Sequence, residues 1–188
     1  KSNNEKFPEL LHKCFLPNSL FVLGEIRDFL NETTMPKNVR RLLQTALICS
    51  LRDVSIAATG WPYIAPKKTK ITSMSKDPIV TLQKRVLKML GDVQWARENS
   101  HERESNHECV LGDSRKVSFP DNSATHIFTS PPYLNNFDYA DRTRLEMYFM
   151  GEANNWGDIS TKIRTKLMTS ATTQISRANP RYILNPRF

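Results

Sequence analysis

The sequence has no long apolar run, few cysteines and no cluster of glycines. A membrane-spanning helix needs about 20 mainly apolar residues, and no stretch approaches that length, nor is a signal peptide visible. Cys14, Cys49 and Cys109 are far apart and odd in number, which argues against a disulfide framework and predicts a reducing, cytoplasmic compartment. His101, His107 and Cys109 match no zinc spacing, so the stretch around them is predicted to be a solvated linker and not a metal site.

Charge is strongly of one sign, since the 188 residues carry a net charge of +8. This excess favours an anionic partner, with nucleic acid as the first candidate and a generally basic soluble protein as the alternative. Gly60, Pro62 and Pro66 break any helix and predict a loop that is rich in lysine. The loop is predicted to contact the phosphates of a nucleic acid, and the alternative is a solvated surface. Its lysines are Lys67, Lys68, Lys70 and Lys76.

Hydrophobic periodicity predicts a helical subdomain over residues 1–107. The stretch "PNSLFVLGEIRDFLNET" predicts a helix that Asn18 or Ser19 caps. The strongest pattern is "MPKNVRRLLQTALICSLRDVS", in which apolar residues recur every three or four positions over 39–54. A third helix is predicted to begin at Asp77-Pro78. Its inward positions are predicted to be Ile79, Leu82, Val86, Met89, Leu90 and Val93.

The pattern changes in the segment 108–151, which predicts an open α/β sheet. "ECVLGDS" and "ATHIFTSPPY" are short apolar runs with polar residues at their carboxyl ends, where ligands of such sheets bind. "RKVSFPDNS" is predicted to join these strands as a loop or one helical turn, and "DRTRLEMYFMG" is predicted to be a helix that Gly151 ends. Residues 152–188 are predicted to be a basic, poorly defined tail, either a mobile segment or pieces joined across gaps. The inward positions of the helix are Leu145, Tyr148 and Phe149.

Two adjacent prolines follow the second apolar run. Proline cannot donate to a sheet ladder and fixes its own φ, so Pro131 and Pro132 end the strand and leave a stiff, extended ledge. The Pro131 carbonyl remains a free acceptor, and Ser130 supplies a second oxygen beside it. Tyr133 offers a flat aromatic face. The alternative is a strand that proline ends for structural reasons alone.

The string from Val110 to about Gly151 resembles the amino-group DNA methyltransferases. In that family a strand ends in [Ser/Asn/Asp]-Pro-Pro-[Tyr/Phe/Trp] at the catalytic pocket, and here "TSPPY" follows "VLGDSR" and "FPDNS" and precedes "LNNFDYADRTRLE". The resemblance implies a Rossmann-like methyltransferase sheet, partial in this chain, after an N-terminal helical subdomain. It also implies S-adenosylmethionine as cofactor and DNA as substrate, in restriction-modification or host defence. Serine in the first position favours cytosine N4, with adenine N6 or RNA methylation as the alternatives.

The same resemblance assigns roles to residues. The Ser130 and Pro131 oxygens would accept the two N–H bonds of the target amine, and Tyr133 would stack on a base flipped out of the duplex. The catalytic residues are then Ser130, Pro131, Pro132 and Tyr133. The cofactor-binding residues are Asp113, Ser114 and Thr129, with capping of a turn as the alternative role of the aspartate.

Further residues would meet the nucleic acid. Asn135, Arg142 and Arg144 join the four lysines as predicted nucleic-acid contacts. For the two arginines, ion pairs with Asp141 and Glu146 are an equal alternative. The edge of the site would be lined by Asn135, Asn136, Asp138 and Tyr139.

One element of the family is missing from this sequence. The family has a glycine-rich turn, typically Phe-x-Gly-x-Gly, that lets the backbone approach the methionine end of the cofactor. The six glycines of this chain stand singly. We expect the turn to lie upstream of Lys1, in missing C-terminal chain or in a partner subunit. The rival from another class is a non-catalytic nucleic-acid-binding component that retains a remnant of the pocket.

Overall fold

The computed structural model describes residues 7–58, 64–69, 76–99, 109–113, 116, 119–130 and 137–167. These residues form a mainly helical body with one short hairpin-like pair of strands. No helix within them is long and apolar enough to cross a membrane. The elements in chain order are α1 (Glu9–Cys14), α2 (Pro17–Glu32), α3 (Lys37–Val54), β1 (Ala57–Ala58), β2 (Ala65–Thr69), α4 (Pro78–Asn99), α5 (Tyr139–Arg142), α6 (Arg144–Met150) and α7 (Trp156–Asp158), followed by a π-helical turn (Ile159–Ile163) and a 3₁₀ turn (Arg164–Lys166).

The three long helices confirm the periodic patterns, with corrections at their ends and faces. α2 begins at Pro17 and not after a cap at Asn18 or Ser19, because the fixed φ of proline suits the first helical position. The side chain of Asp77 caps α4, accepting from the N–H groups of Ile79 at 2.8 Å and Val80 at 3.0 Å, as the sequence predicted.

The predicted inward face of α4 is only partly buried. Leu82 packs against the core, but Ile79 is 50%, Leu90 48% and Val93 43% exposed, so for these three the inward prediction was wrong. Periodicity defines an apolar stripe, whereas the length of the neighbouring helix decides how much of that stripe is covered. The contacts of α4 are mainly with α3 and α2.

We call residues 129–136, which begin with the Thr-Ser-Pro-Pro-Tyr string, the motif segment. One core joins the N-terminal helices to the residues that follow the motif segment. The Phe7 and Phe149 rings stack at a centroid distance of 5.6 Å, and the guanidinium of Arg27 lies 4.7 Å from the Phe7 centroid. Arg27 also donates to the Phe149 carbonyl at 2.7 Å. Each fully buried aliphatic or aromatic side chain in such a core stabilises it by about 1.5–3 kcal/mol. The largest of these side chains are Leu11, Phe15, Leu20, Leu23, Leu47, Leu51, Leu145, Phe149 and Ile159.

The predicted α/β fold class was wrong. The strands among the described residues are β1 and β2, which pair antiparallel with Ala57 opposite Thr69 and Ala58 opposite Ala65. The two runs predicted as strands have no regular structure where they are described, and Val110, Leu111, Ile127 and Phe128 are 69%, 103%, 84% and 94% exposed. A parallel strand needs hydrogen-bonded neighbours and cover on both faces, and the described part of the chain provides neither for these runs.

The helix predicted after the motif segment is confirmed as α6, with α5 as a short turn before it. Leu145, Tyr148 and Phe149 are buried, as predicted. Gly151 ends α6 with φ +80°, in the left-handed region that glycine enters at no steric cost. The chain then turns back, so that Ala153 and Ile159 enter the core, and residues 168–188 of the predicted tail lie outside the described residues.

Candidate functional site

The segment that leads to the motif is exposed and contains neither helix nor strand. Residues 119–130 carry one turn, in which the Ser123 N–H donates to the Pro120 carbonyl at 3.3 Å. Asn122 in this turn has φ +60°, a conformation that asparagine adopts more readily than most residues. The stretch predicted as a connecting loop therefore contains a defined turn.

Thr129 and Ser130 end this segment, and both are exposed. The other catalytic residues predicted from the sequence, Pro131, Pro132 and Tyr133, lie outside the described residues. Asn135, predicted to contact nucleic acid, lies outside them as well. The structure thus places the Ser130 hydroxyl in solvent at the point where the motif begins.

Asp113, predicted to bind the cofactor, lies in an exposed turn. Its carbonyl accepts the N–H of Lys116 at 2.8 Å, a contact that agrees with the alternative role in a turn. Ser114 lies outside the described residues. The groove that the structure shows is not lined by Asp113, Thr129 or Ser130.

The chain that follows the motif is anchored to the helical body. Asp138 is buried, and its carboxylate caps α5 by accepting from the N–H groups of Ala140 and Asp141, both at 3.1 Å. Arg164 donates to the other oxygen of the same carboxylate. Phe137 is buried beside Asp138 and meets the Tyr139 ring edge-on at 4.7 Å. Asp138, which was predicted to line the edge of the site, holds the end of the motif segment.

Arg144 lies within an ion-pair and aromatic cluster. Its Nε is 3.2 Å from an Asp141 carboxylate oxygen, and its guanidinium is 5.0 Å from the centroid of Trp156. Arg164 lies over the same indole at 4.3 Å. Burial raises the pKa of the Asp141 carboxyl above its usual range, although the positive charge of Arg144 opposes that shift. This placement agrees with the ion-pair alternative for Arg144.

Arg142 is tied to α3 through its backbone. Arg52, in α3, donates to the Arg142 carbonyl and holds Glu146 in two contacts of 2.5 and 3.1 Å. Glu146 is thus paired with Arg52, whereas the ion-pair alternative predicted a pair with Arg142. The Nη1 atom of Arg142 is buried and has no hydrogen-bond partner among the described residues, and the predicted contact of this side chain with nucleic acid stays a prediction.

The predicted lysine cluster is divided by the structure. Lys67 and Lys68 lie on β2, Lys70 lies outside the described residues, and Lys76 is exposed just before α4. Lys76 borders a groove of about 520 Å³ between α3 and α4, which we call the basic groove. Its lining residues are Asp53, Lys76, Asp77, Val80, Thr81, Lys84, Arg85 and Lys88.

Lys84, Arg85 and Lys88 were missed as candidates from the sequence. Residues four apart on a helix share a face, so the spacing from Lys84 to Lys88 already indicated a cationic face on α4. What the spacing could not show is that Asp53 of α3 lies beside that face, 2.6 Å from Arg85.

Neither Asp113 nor Thr129, the described residues of the predicted S-adenosylmethionine site, lines the groove that the structure shows. Asp113 and Thr129 are exposed on segments without regular structure, and the groove that the structure shows lies elsewhere. The single glycines supply no turn that would let the backbone approach the methionine end. Within the described residues no group of three or more His, Cys, Asp or Glu side chains could hold a metal ion.

Comparison of the chain with protein-family models, curated proteins and solved structures finds no match. The class of protein therefore rests on the chemistry of the residues themselves. The motif around Ser130, with its exposed approach and anchored exit, remains the feature with the most specific chemical meaning.

Proposed function

We propose that this chain is part of an S-adenosylmethionine-dependent DNA methyltransferase that modifies the exocyclic amine of cytosine N4. The observation that carries the proposal is the Thr-Ser-Pro-Pro-Tyr string at residues 129–133, together with the flanking strings that resemble the amino-methyltransferases. A role in restriction-modification or host defence follows from the same resemblance, and the few cysteines favour the cytoplasm.

The proposed role of the string is to orient the target amine. The lone pair of an exocyclic amine is delocalised into the ring, so the nitrogen is a poor nucleophile. The Ser130 hydroxyl and the Pro131 carbonyl, each accepting one N–H of the amine, favour a tetrahedral nitrogen with an available lone pair. Tyr133 stacks on the base, which must leave the duplex to reach these groups.

The anchoring of the segment supports this role. Catalytic groups work when they are held close to the productive geometry. The two prolines restrict the backbone of the string, and Asp138 fixes its exit to α5 and to Arg164. The exposed Ser130 leaves the entrance open to a large substrate.

Cofactor binding is proposed to depend on residues beyond the described part of this chain. S-adenosylmethionine supplies the electrophilic methyl group when it is bound. We expect the glycine-rich turn in a segment of the same protein outside this sequence or in a partner subunit. Calorimetric titration with S-adenosylmethionine tests this expectation: the chain alone should show no binding, and the full-length gene product should bind.

The direct test of the function is methyl transfer to DNA by the full-length gene product. Tritiated S-adenosylmethionine and mixed-sequence duplex DNA should give labelled DNA. Absence of label, with the cofactor demonstrably bound, would contradict the proposal.

A second candidate function is a non-catalytic DNA-binding subunit. The basic groove favours it, as does the lack of a glycine-rich turn in this sequence. The two candidates differ in one measurement. A binding subunit leaves the methylation rate unchanged when Pro131 is replaced, whereas an enzyme loses activity.

A further inference from the structure

We infer that the basic groove between α3 and α4 binds the phosphate backbone of duplex DNA. The inference rests on the proposed DNA substrate, but the groove is a separate surface from the motif segment. Four cationic and two acidic side chains line it. The excess of positive charge is the first reason to expect an anionic ligand.

Both carboxylates of the groove are already engaged within the protein. Asp53 pairs with Arg85 at 2.6 Å and lies 4.0 Å from Lys76. Asp77 accepts two backbone N–H groups at the start of α4. Neither carboxylate is therefore available to neutralise the remaining lysines.

Lys84 and Lys88 are left as the exposed charges of the groove. No carboxylate among the described residues forms an ion pair with either lysine. The two lysines are one helical turn apart, about 6 Å along the axis of α4, and lie on the same face of the helix. Together with Lys76 near the start of the helix they form a row of cations along the groove.

A row of exposed lysines suits a polyanion better than a single small anion. An isolated phosphate is usually held by a bidentate arginine or by several backbone N–H groups. In this groove Arg85 already pairs with Asp53, and the N–H groups at the start of α4 already donate to Asp77. A DNA backbone instead gains from each lysine separately, because each neutralised phosphate releases counterions.

The test compares two double variants with the same loss of charge. Lys84→Gln with Lys88→Gln removes both lysines from the groove. Lys37→Gln with Arg41→Gln removes two exposed cations near the opposite end of α3, about 18 Å or more along the helix from Asp53. All four positions are exposed, so both variants should keep the thermal midpoint of the wild type, which circular dichroism measures.

The readout is the salt dependence of binding to a fluorescent DNA duplex, measured by anisotropy between about 50 and 200 mM salt. The groove variant should lower the slope of log K against log salt by about two, whereas the control variant should leave the slope near that of the wild type. Lys84→Arg with Lys88→Arg keeps the charges and should retain the wild-type slope. Equal slopes for the groove and control variants, or a wild-type chain that does not bind DNA, would overturn the inference.

Failure of this inference is distinguishable from failure of the proposed function. Methyl transfer by the full-length protein is measured on the DNA product and does not depend on where the chain meets phosphate. Labelled DNA combined with equal slopes refutes the groove alone. Unlabelled DNA combined with a reduced slope for the groove variant leaves a DNA-binding protein without the proposed activity.

Discussion

Arg164 and Asp138 form an ion pair with side chains only 9% and 3% exposed, and this pair ties the exit of the motif segment to the C-terminal 3₁₀ turn. The same Asp138 carboxylate caps α5. One side chain therefore links three parts of the chain. The position of the motif segment depends on this link, because Phe137 and Asp138 are the first described residues after it.

Replacing Asp138 with asparagine should destabilise the fold by about 3–5 kcal/mol, because the variant leaves the Arg164 charge buried without its partner. The asparagine carbonyl can still cap α5, so the measured loss of stability reports the missing negative charge and not a lost cap. Urea unfolding measures the loss. Glu9→Gln, which breaks the exposed Glu9–Lys13 pair, is the control and should leave the unfolding midpoint unchanged. A similar midpoint for both variants would show that the buried pair does not stabilise the fold.

Two glycines should respond with opposite signs to alanine. Gly151→Ala should destabilise by about 1–2 kcal/mol, because φ +80° places the new Cβ in the left-handed region. No atom lies within 4 Å of that Cβ, so the cost is confined to the backbone. Gly91→Ala should stabilise by about 0.5–1 kcal/mol, since it lies within α4 with open space around it. Thermal unfolding of the two variants measures both changes in stability. A change of the same sign in both variants would contradict the assignment of Gly151 as the residue that ends α6.

The three cysteines should differ in their reaction with thiol reagents. Cys49 and Cys109 are exposed, whereas Cys14 is fully buried. Burial raises the pKa of the Cys14 thiol to about 11, although the charge of Arg144 opposes the shift. Because the thiolate is the reactive form, two thiols should react in the folded protein and the third only in denaturant. Reaction of all three at the same rate would contradict the burial of Cys14.

The raised pKa of Cys14 also predicts a dependence of stability on pH. The folded state favours the neutral thiol, so this contribution is complete below about pH 8.5, the unfolded value. It declines by up to about 1.4 kcal/mol per pH unit as the pH rises toward the folded value of about 11. Urea unfolding at several alkaline pH values should show this decline, and Cys14→Ala should reduce it. An identical decline in both proteins would assign the effect to other groups.

If the full-length gene product is the proposed methyltransferase, Pro131→Ala and Tyr133→Ala should each lower methyl transfer at least about tenfold, because they remove positioning or stacking of the base. The thermal midpoint should not change. His126→Ala, at an exposed position shortly before the motif, is the control and should keep the wild-type rate. Wild-type rates in both motif variants would exclude a catalytic role for the string.

The helices could be predicted from the sequence because local periodicity carries most of the information about them. α3 and α6 follow their apolar patterns, and Gly151 ends α6 for a local reason that the sequence shows. The strands could not be predicted in the same way. An apolar run such as "THIF" shows β-propensity, but a strand also needs a paired neighbour, and that depends on the rest of the fold.

The candidate functional site, too, could be predicted from the sequence only in part. The chemistry predicted for Ser130 and its neighbours rests on their residue types and on the family resemblance, and it stays a prediction. The buried ion pair of Asp138 depends on Arg164, and the ring contact of Arg144 depends on Trp156, and both partners are distant in the sequence from the motif. The basic groove depends on the approach of Asp53 to α4, which no local pattern records.

Mass spectrometry of nucleosides from DNA treated with the full-length protein tests the proposed methyl transfer most directly. We expect N4-methylcytosine, because the proposed function gives Ser130 and the Pro131 carbonyl the role of the two acceptors for the cytosine amine. N6-methyladenine as the only product would contradict the choice of base and keep the amine chemistry. DNA that carries neither product, although the cofactor is bound, would contradict the assignment of this chain to a DNA amino-methyltransferase.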